Sequence, residues 1–123
     1  MIIAGFGLRQ AATIASLKDA LEQALPDQKP DALAAPSDKI HMPALQDLAA
    51  DLALPLYPVD QTDMSHTTTP TQAARVIELR GTGSVAEAAA LIVAGQSARI
   101  LCPRVVSTDR MATRATAVSG EPS

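Results

Sequence analysis

The 123-residue chain has little of several things: one cysteine, no tryptophan, one tyrosine and one phenylalanine. A single thiol, Cys102, excludes an internal disulfide framework and any cysteine-rich zinc module. Scarce aromatics, a net charge of −3 and a pI of about 5.2 argue against a general nucleic-acid binder, which uses a basic face and stacking platforms. Long apolar runs are missing too. The longest, Ala88 to Ala94, is far too short to cross a bilayer. Met1 to Leu8 has no basic n-region and is interrupted by Gly5, Gly7 and Arg9, so it does not read as a signal peptide. A soluble cytoplasmic protein is the expectation.

What the chain has in quantity is alanine, roughly a fifth of all residues. With 47% hydrophobic residues and a mean hydropathy of +0.12, the chain is not wholly disordered. Its core should be tight but shallow, because so much of its apolar mass is small. The length suits one domain, expected over residues 1–118, with 119–123 as a disordered tail.

Met1 to Ala4 reads as a short buried strand ended by a Gly5-Phe6-Gly7 turn. A helical period follows from Gln10, with Ile14, Leu17, Leu21 and Leu25 on one face and Lys18, Asp19 and Glu22 on the other; Pro26 stops it. Ala32 to Ala35 is a weak apolar patch, and Pro36-Ser37-Asp38-Lys39 is turn chemistry. Pro43 to Leu52 reads as a second helix, with Leu45, Leu48, Ala49 and Leu52 buried. Leu54 to Val59 suits a strand that Pro55 and Pro58 confine to an edge. Asp60 to Thr71, with five Thr and one Ser, reads as an exposed loop with at most one helical turn after Asp60, which Asp60 and Asp63 would cap.

Arg75 to Leu79 is another short strand candidate. Val85 to Ala94 is the clearest helix, apolar nearly all round and stopped by Gly95. Ile100 to Cys102 reads as a strand closed by Pro103, and Met111 to Val118 alternates as a strand does. Ser107 to Arg110 is short enough for an antiparallel hairpin between them. This alternation implies an α/β fold: one domain, a mixed sheet of mostly short strands, helices on both faces and a C-terminal β-hairpin.

Three constellations bear on chemistry. Gly5-Phe6-Gly7-Leu8-Arg9 between strand and helix could present backbone N–H groups and an arginine to a carboxylate or phosphate. It equally suits a plain tight turn with a solvated arginine, and it lacks the third glycine of a dinucleotide fingerprint. Gly81-Thr82-Gly83-Ser84 at a helix start could face an anion, with Glu87 orienting a ligand or water. Ser84 with Glu87 also has capping-box spacing, which needs no ligand. Charge is segregated. Residues 1–74 hold four Lys/Arg against nine Asp/Glu, a net of −5, whereas residues 75–114 hold six Arg against three acids, a net of +3. Those six are Arg75, Arg80, Arg99, Arg104, Arg110 and Arg114. Guanidinium suits planar recognition of carboxylates, and a coding bias toward arginine gives the same composition.

Other features carry less. His41 and His66 lack ligand spacing, so no metal is expected. Ser65-His66-Thr67 has no strand-to-helix elbow to present the serine. Cys102 reads as a small buried hydrophobe.

Together the segments AGFGLRQAAT, SLKDAL, LPL, GTGSVAEAAAL, a strand leading into PR, and TRATA resemble the CobE family, also found as the C-terminal domain of the cobalamin-biosynthesis protein CbiG. The likeness spans nearly the whole chain, and GTGSVAEAAAL is its most specific piece. It reaches Gly5, Gly7, Arg9, Lys39, Gly83, Ser84, Glu87, Ala88, Arg104, Thr113 and Ala115. It departs at Ala34-Ala35-Pro36 and at His41-Met42, where relatives read differently. The resemblance implies a role in corrin-ring formation on precorrin intermediates that carry many carboxylates.

The ligand-binding residues expected from both lines are Gly5, Gly7, Arg9, Lys39, Thr82, Gly83, Ser84, Glu87, Arg104 and Thr113. The expected partner is a precorrin or corrinoid, with other pathway enzymes as a second class of partner, and no cofactor, nucleic acid or membrane. The rival expectation is a hydrolase opening a ring lactone or ester of such an intermediate. In that reading Glu87 is general base and the glycine loops hold the oxyanion. A third, a purely structural partner of a pathway enzyme, expects an exposed apolar patch.

Overall fold

The N-terminal apolar run does not stop at Gly5. In the computed structural model, which describes residues 1–23, 29–67, 69, 72, 84–95 and 97–120, strand β1 runs from Ile2 to Leu8 straight through Gly5-Phe6-Gly7. It lies at the centre of a five-stranded sheet of order β3-β2-β1-β5-β4. The other strands are β2 (Ala32–Pro36), β3 (Leu56–Val59), β4 (Arg99–Val106) and β5 (Ala112–Val118). β1, β2 and β3 are parallel, β5 runs antiparallel to β1, and β4 forms an antiparallel hairpin with β5. The chain is thus a single small α/β domain with a mixed sheet.

Helices cover both faces. On one, α1 (Ile14–Glu22) and α2 (Pro43–Leu52) set Leu17, Leu45 and Leu48 against Ala4, Phe6, Leu33 and Ala35. On the other, α3 (Gln61–Ser65) and α4 (Val85–Ala94) bring Met64 and Ala88, Ala89 and Ala90 to Ile3, Ala32, Ala34 and Ala117. Central strands covered on both sides are apolar throughout rather than alternating, which explains the unbroken runs in β1 and β2.

Gly5 is the reason β1 continues. A Cβ at that position would stand 2.1 Å from the Ala86 carbonyl oxygen and 2.6 Å from the Ala90 nitrogen, so the α4 backbone rides directly on the strand. The expected glycine turn is therefore corrected: Gly5 pairs with Ala34 and Ala115, and Gly7 with Thr113, inside the sheet.

α1 begins at Ile14, later than Gln10, because Thr13 and Ser16 form a reciprocal capping box that fixes its start. Leu25, Pro26 and the Arg75–Leu79 strand lie outside the described residues. β3 does take an edge, and Pro58 is tolerated there. α3 supplies the helical turn after Asp60, yet Asp60 makes no side-chain cap, and Met64 is fully buried rather than part of an exposed loop. The expected end of β4 at Pro103 is also corrected. β4 is an edge strand whose register shifts twice, between Ile100 and Cys102 and between Cys102 and Val105. Bulges of this kind accommodate a proline and twist an exposed edge away from further pairing. Ser119 is tied in by its N–H to the Met1 carbonyl and its hydroxyl to the Ala94 carbonyl. Among the described residues no helix is long and apolar enough to cross a membrane.

Candidate functional site

The sheet changes direction of winding at β1. From β1 the chain moves outward through β2 and β3 with α1 and α2 on one face, then returns across the other face as α4 to build β4 and β5. In open α/β sheets such a reversal leaves a crevice at the carboxyl ends of the strands, where ligands bind.

Residues from six segments meet at that end. Arg9 follows β1 directly and is exposed; its N–H extends the ladder to the Met111 carbonyl at 2.8 Å. Lys39, partly buried, sits in the turn after β2, its N–H bonded to the Pro36 carbonyl at 2.9 Å. Gly7 and Thr113 are cross-strand partners, and the Thr113 hydroxyl donates to the Gly7 carbonyl at 3.3 Å. A Cβ on Gly7 would lie 2.8 Å from that hydroxyl oxygen and 3.5 Å from the Val85 Cβ. The start of α4 therefore stands over the end of β1, as anion recognition at a helix N-terminus requires.

Ser84 and Glu87 are fully buried. Ser84 caps α4 by accepting the Glu87 N–H at 3.2 Å. Glu87 does not complete a capping box. Its carboxylate reaches across to β4, where Oε2 accepts the Arg104 N–H at 2.8 Å. That N–H belongs to the bulge between Cys102 and Val105, so a buried carboxylate of the helix secures the irregular edge strand. Charge-assisted bonds to backbone amides are among the stronger ones, and here one locks α4 to β4.

The register places Arg104 along the sheet. It lies in the bulge just before Val105 and Val106, which pair with Arg114 and Thr113, and so stands towards the carboxyl end of β4. From β2 to β4 is three strand spacings, roughly 14 Å at the usual separation, so Lys39, Arg9 and Arg104 line one end of the molecule. Among the described residues none of the three forms an ion pair; the surface pair Lys18–Asp51 at 2.9 Å lies elsewhere, between α1 and α2.

Other expected residues divide. Thr82 and Gly83 lie outside the described residues, as do Arg75 and Arg80. Gly5 is enclosed by strands and α4, and its place is explained by packing rather than by a loop facing a ligand. Arg99 pairs with Val118 at the opposite end of the sheet. Arg114 is fully buried on the α1 face, where Nε donates to the Ala20 carbonyl at 3.2 Å and Nη1 to the Thr116 hydroxyl at 2.6 Å. It is thus no part of a basic surface. Cys102 is half-buried on β4.

Sequence reasoning missed two things here. One is the Glu87–Arg104 bond, for which Pro103 inside a strand-like run was the available sign. The other is Asp109 in the β4–β5 turn, whose carboxylate accepts from the Ser107 and Ser16 hydroxyls and from the Met111 N–H at 3.1 Å. These bonds, with Ser107 foremost and Ser16 next, hold its carboxyl below the ordinary carboxylate value.

No curated protein matches the sequence. Solved structures do. CobE, a protein from the cobalamin (vitamin B12) biosynthetic pathway, is 29% identical with a TM-score of 0.83, over 95% of this chain and 89% of that one. The cobalamin biosynthesis protein ChiG from Agrobacterium tumefaciens is 30% identical with a TM-score of 0.75, over 98% of this chain and 100% of that one. A protein described as a cobalamin biosynthesis protein G homolog from Sulfolobus solfataricus shares the fold alone, at 19% identity and a TM-score of 0.71, with 94% of this chain covering 36% of that one. The family model for the cobalamin synthesis G C-terminus matches residues 2–117. The chain belongs to that family and is a cobalamin-biosynthesis protein of the CobE and CbiG type.

Proposed function

We propose that this chain binds a polycarboxylate precorrin or corrinoid intermediate at the carboxyl end of its sheet and serves corrin-ring formation as an accessory or carrier protein. One observation carries the reading. Arg9, Lys39 and Arg104, far apart in sequence, stand at one end of the molecule without ion-pair partners among the described residues. Guanidinium forks pair with carboxylates in two parallel hydrogen bonds, and a lysine adds a point charge. A macrocycle rimmed with carboxylates is a ligand that cations so spaced can grip at several points. The first amides of α4 would supply neutral donors between them. Because these groups hang on strand ends and a capped helix, little backbone ordering is spent on binding.

The hydrolytic alternative draws no support from Glu87. A general base must reach a water beside the substrate, whereas this carboxylate is fully buried and bonded to the β4 backbone. A purely structural role wants a contiguous apolar patch. Among the described residues the large exposed apolar side chains are Met1, Tyr57 and Val106, on three different strands or their ends.

The test is a spectrophotometric titration with hydrogenobyrinic acid, a metal-free corrin polycarboxylate. Wild type should shift the ligand's absorption saturably, and the double variant Arg9→Ala with Arg104→Ala should bind about a hundredfold more weakly, at roughly tenfold per charged hydrogen-bonding group. No shift with wild type, or an unchanged affinity in the double variant, overturns the proposal.

A further inference from the structure

The β4–β5 turn places one more arginine at this end of the molecule. Arg110 is exposed and occupies the left-handed region with φ of 61°, its N–H bonded to the Ser107 carbonyl at 2.8 Å. That conformation crowds the Cβ of any L-residue, and glycine or asparagine is the usual choice. Ala53, also left-handed, is accounted for as the C-cap of α2. At Arg110 the hairpin accounts for the backbone, since its N–H closes the 107–110 turn on the Ser107 carbonyl and a left-handed residue commonly ends such a turn, but it does not account for an arginine where glycine or asparagine is less crowded.

The turn itself is firmly held. Asp109 gathers the Ser107 and Ser16 hydroxyls and the Met111 N–H. Asp19 accepts the Thr108 N–H, and the Gln23 side chain donates to the Val106 carbonyl at 3.1 Å. Ser16, Asp19 and Gln23 follow one another at helical spacing, so one polar stripe along α1 clamps the whole hairpin tip. The clamp has two consequences. It engages both oxygens of the neighbouring carboxylate, Asp109, in bonds to Ser16, Ser107 and Met111. It also fixes Arg110 beside Arg9, since the Arg9 N–H bonds the carbonyl of Met111, the next residue along. Two exposed arginines thus lie one residue out of register just beyond the ends of adjacent strands, and among the described residues neither forms an ion pair.

We propose that Arg110 is a further carboxylate-binding residue, paired with Arg9 to take one acidic side chain of the ligand, with the α1 clamp holding it in its strained position. This rests on the reading above that the carboxyl end binds a corrin polycarboxylate.

The experiment exploits the strain. Arg110→Gly and Arg110→Asn remove the guanidinium and suit the left-handed backbone, so both should keep or raise Tm while binding hydrogenobyrinic acid about tenfold more weakly than wild type. Arg110→Lys keeps charge without the fork and should fall between. If wild type binds and the Gly and Asn variants bind equally well, Arg110 is no ligand-binding residue and the wider site stands. If affinity falls only in step with Tm in both variants, the role is structural and the inference fails. If wild type does not bind at all, the inference and the reading beneath it fall together.

Discussion

The two faces of the sheet are built on opposite principles. Under α1 and α2 the core is made of large side chains, Phe6, Leu17, Leu33, Leu45 and Leu48, and even accepts the whole of Arg114. Under α4 most of the buried side chains are small: Ala86 and Ala90 lie directly on Gly5, where backbone meets backbone. The first face holds helices at a distance with bulk. The second draws one helix down so far that its N-terminus stands over the end of β1 and its Glu87 reaches the β4 bulge. The site's geometry is thus a product of smallness on one face, while stability is gathered largely on the other.

The contrast predicts that the α4 face breaks by addition and the opposite face by deletion. The largest effect is expected from Gly5→Val, which drives carbon into the Ala86 carbonyl and should cost upward of about 3 kcal/mol or prevent folding, read by urea unfolding. Leu17→Ala removes bulk from the other face and should cost about 2–5 kcal/mol without disturbing α4. If Gly5→Val proved milder than Leu17→Ala, close backbone contact would not be what sets α4. Next comes Glu87→Gln. It keeps the shape but weakens a buried bond to the Arg104 N–H, for an expected loss of about 1–2 kcal/mol and faster hydrogen exchange at that amide.

The smallest effect is the acid dependence carried by Asp109. Its folded-state pKa lies below the ordinary value. The stability it contributes is therefore present at neutral pH and disappears as pH falls through the carboxylate range to the folded-state value. Asp109→Asn should have a lower urea midpoint than wild type at pH 7, and the difference should shrink toward zero as pH drops below about 4. A gap that widens on acidification would contradict the Ser16 and Ser107 bonds as its cause.

Much of the architecture was legible because it rests on local signals. Pro43 opens α2, Ser84 opens α4 and Gly95 ends it, and each acts within a few residues of itself; the Thr13–Ser16 box is equally local, yet the helical period alone pointed to a start at Gln10. What was not legible depended on contacts across the sheet. Gly5 and Gly7 look like a turn in isolation, and only the approach of α4 from eighty residues away shows that they are strand. Met64 sits in a threonine-rich stretch with no apolar neighbours, so no periodicity marked it as core. Pro103 argued for a strand end, although an edge strand with two register shifts passes through it. Arginine composition likewise gave no direction: Arg104 and Arg110 reach the carboxyl end, Arg99 the other, and Arg114 the interior.

The central claim is that the ligand is held at the carboxyl end of the strands. Chemical-shift mapping of backbone amides on adding hydrogenobyrinic acid tests it directly. The account predicts saturable changes at Gly7 to Arg9, Lys39, Val85 to Ala88, Arg104 and Arg110 to Thr113, with Ile2, Arg99 and Val118 at the far end unmoved. Changes centred on that far end, or none at any ligand concentration, would contradict it.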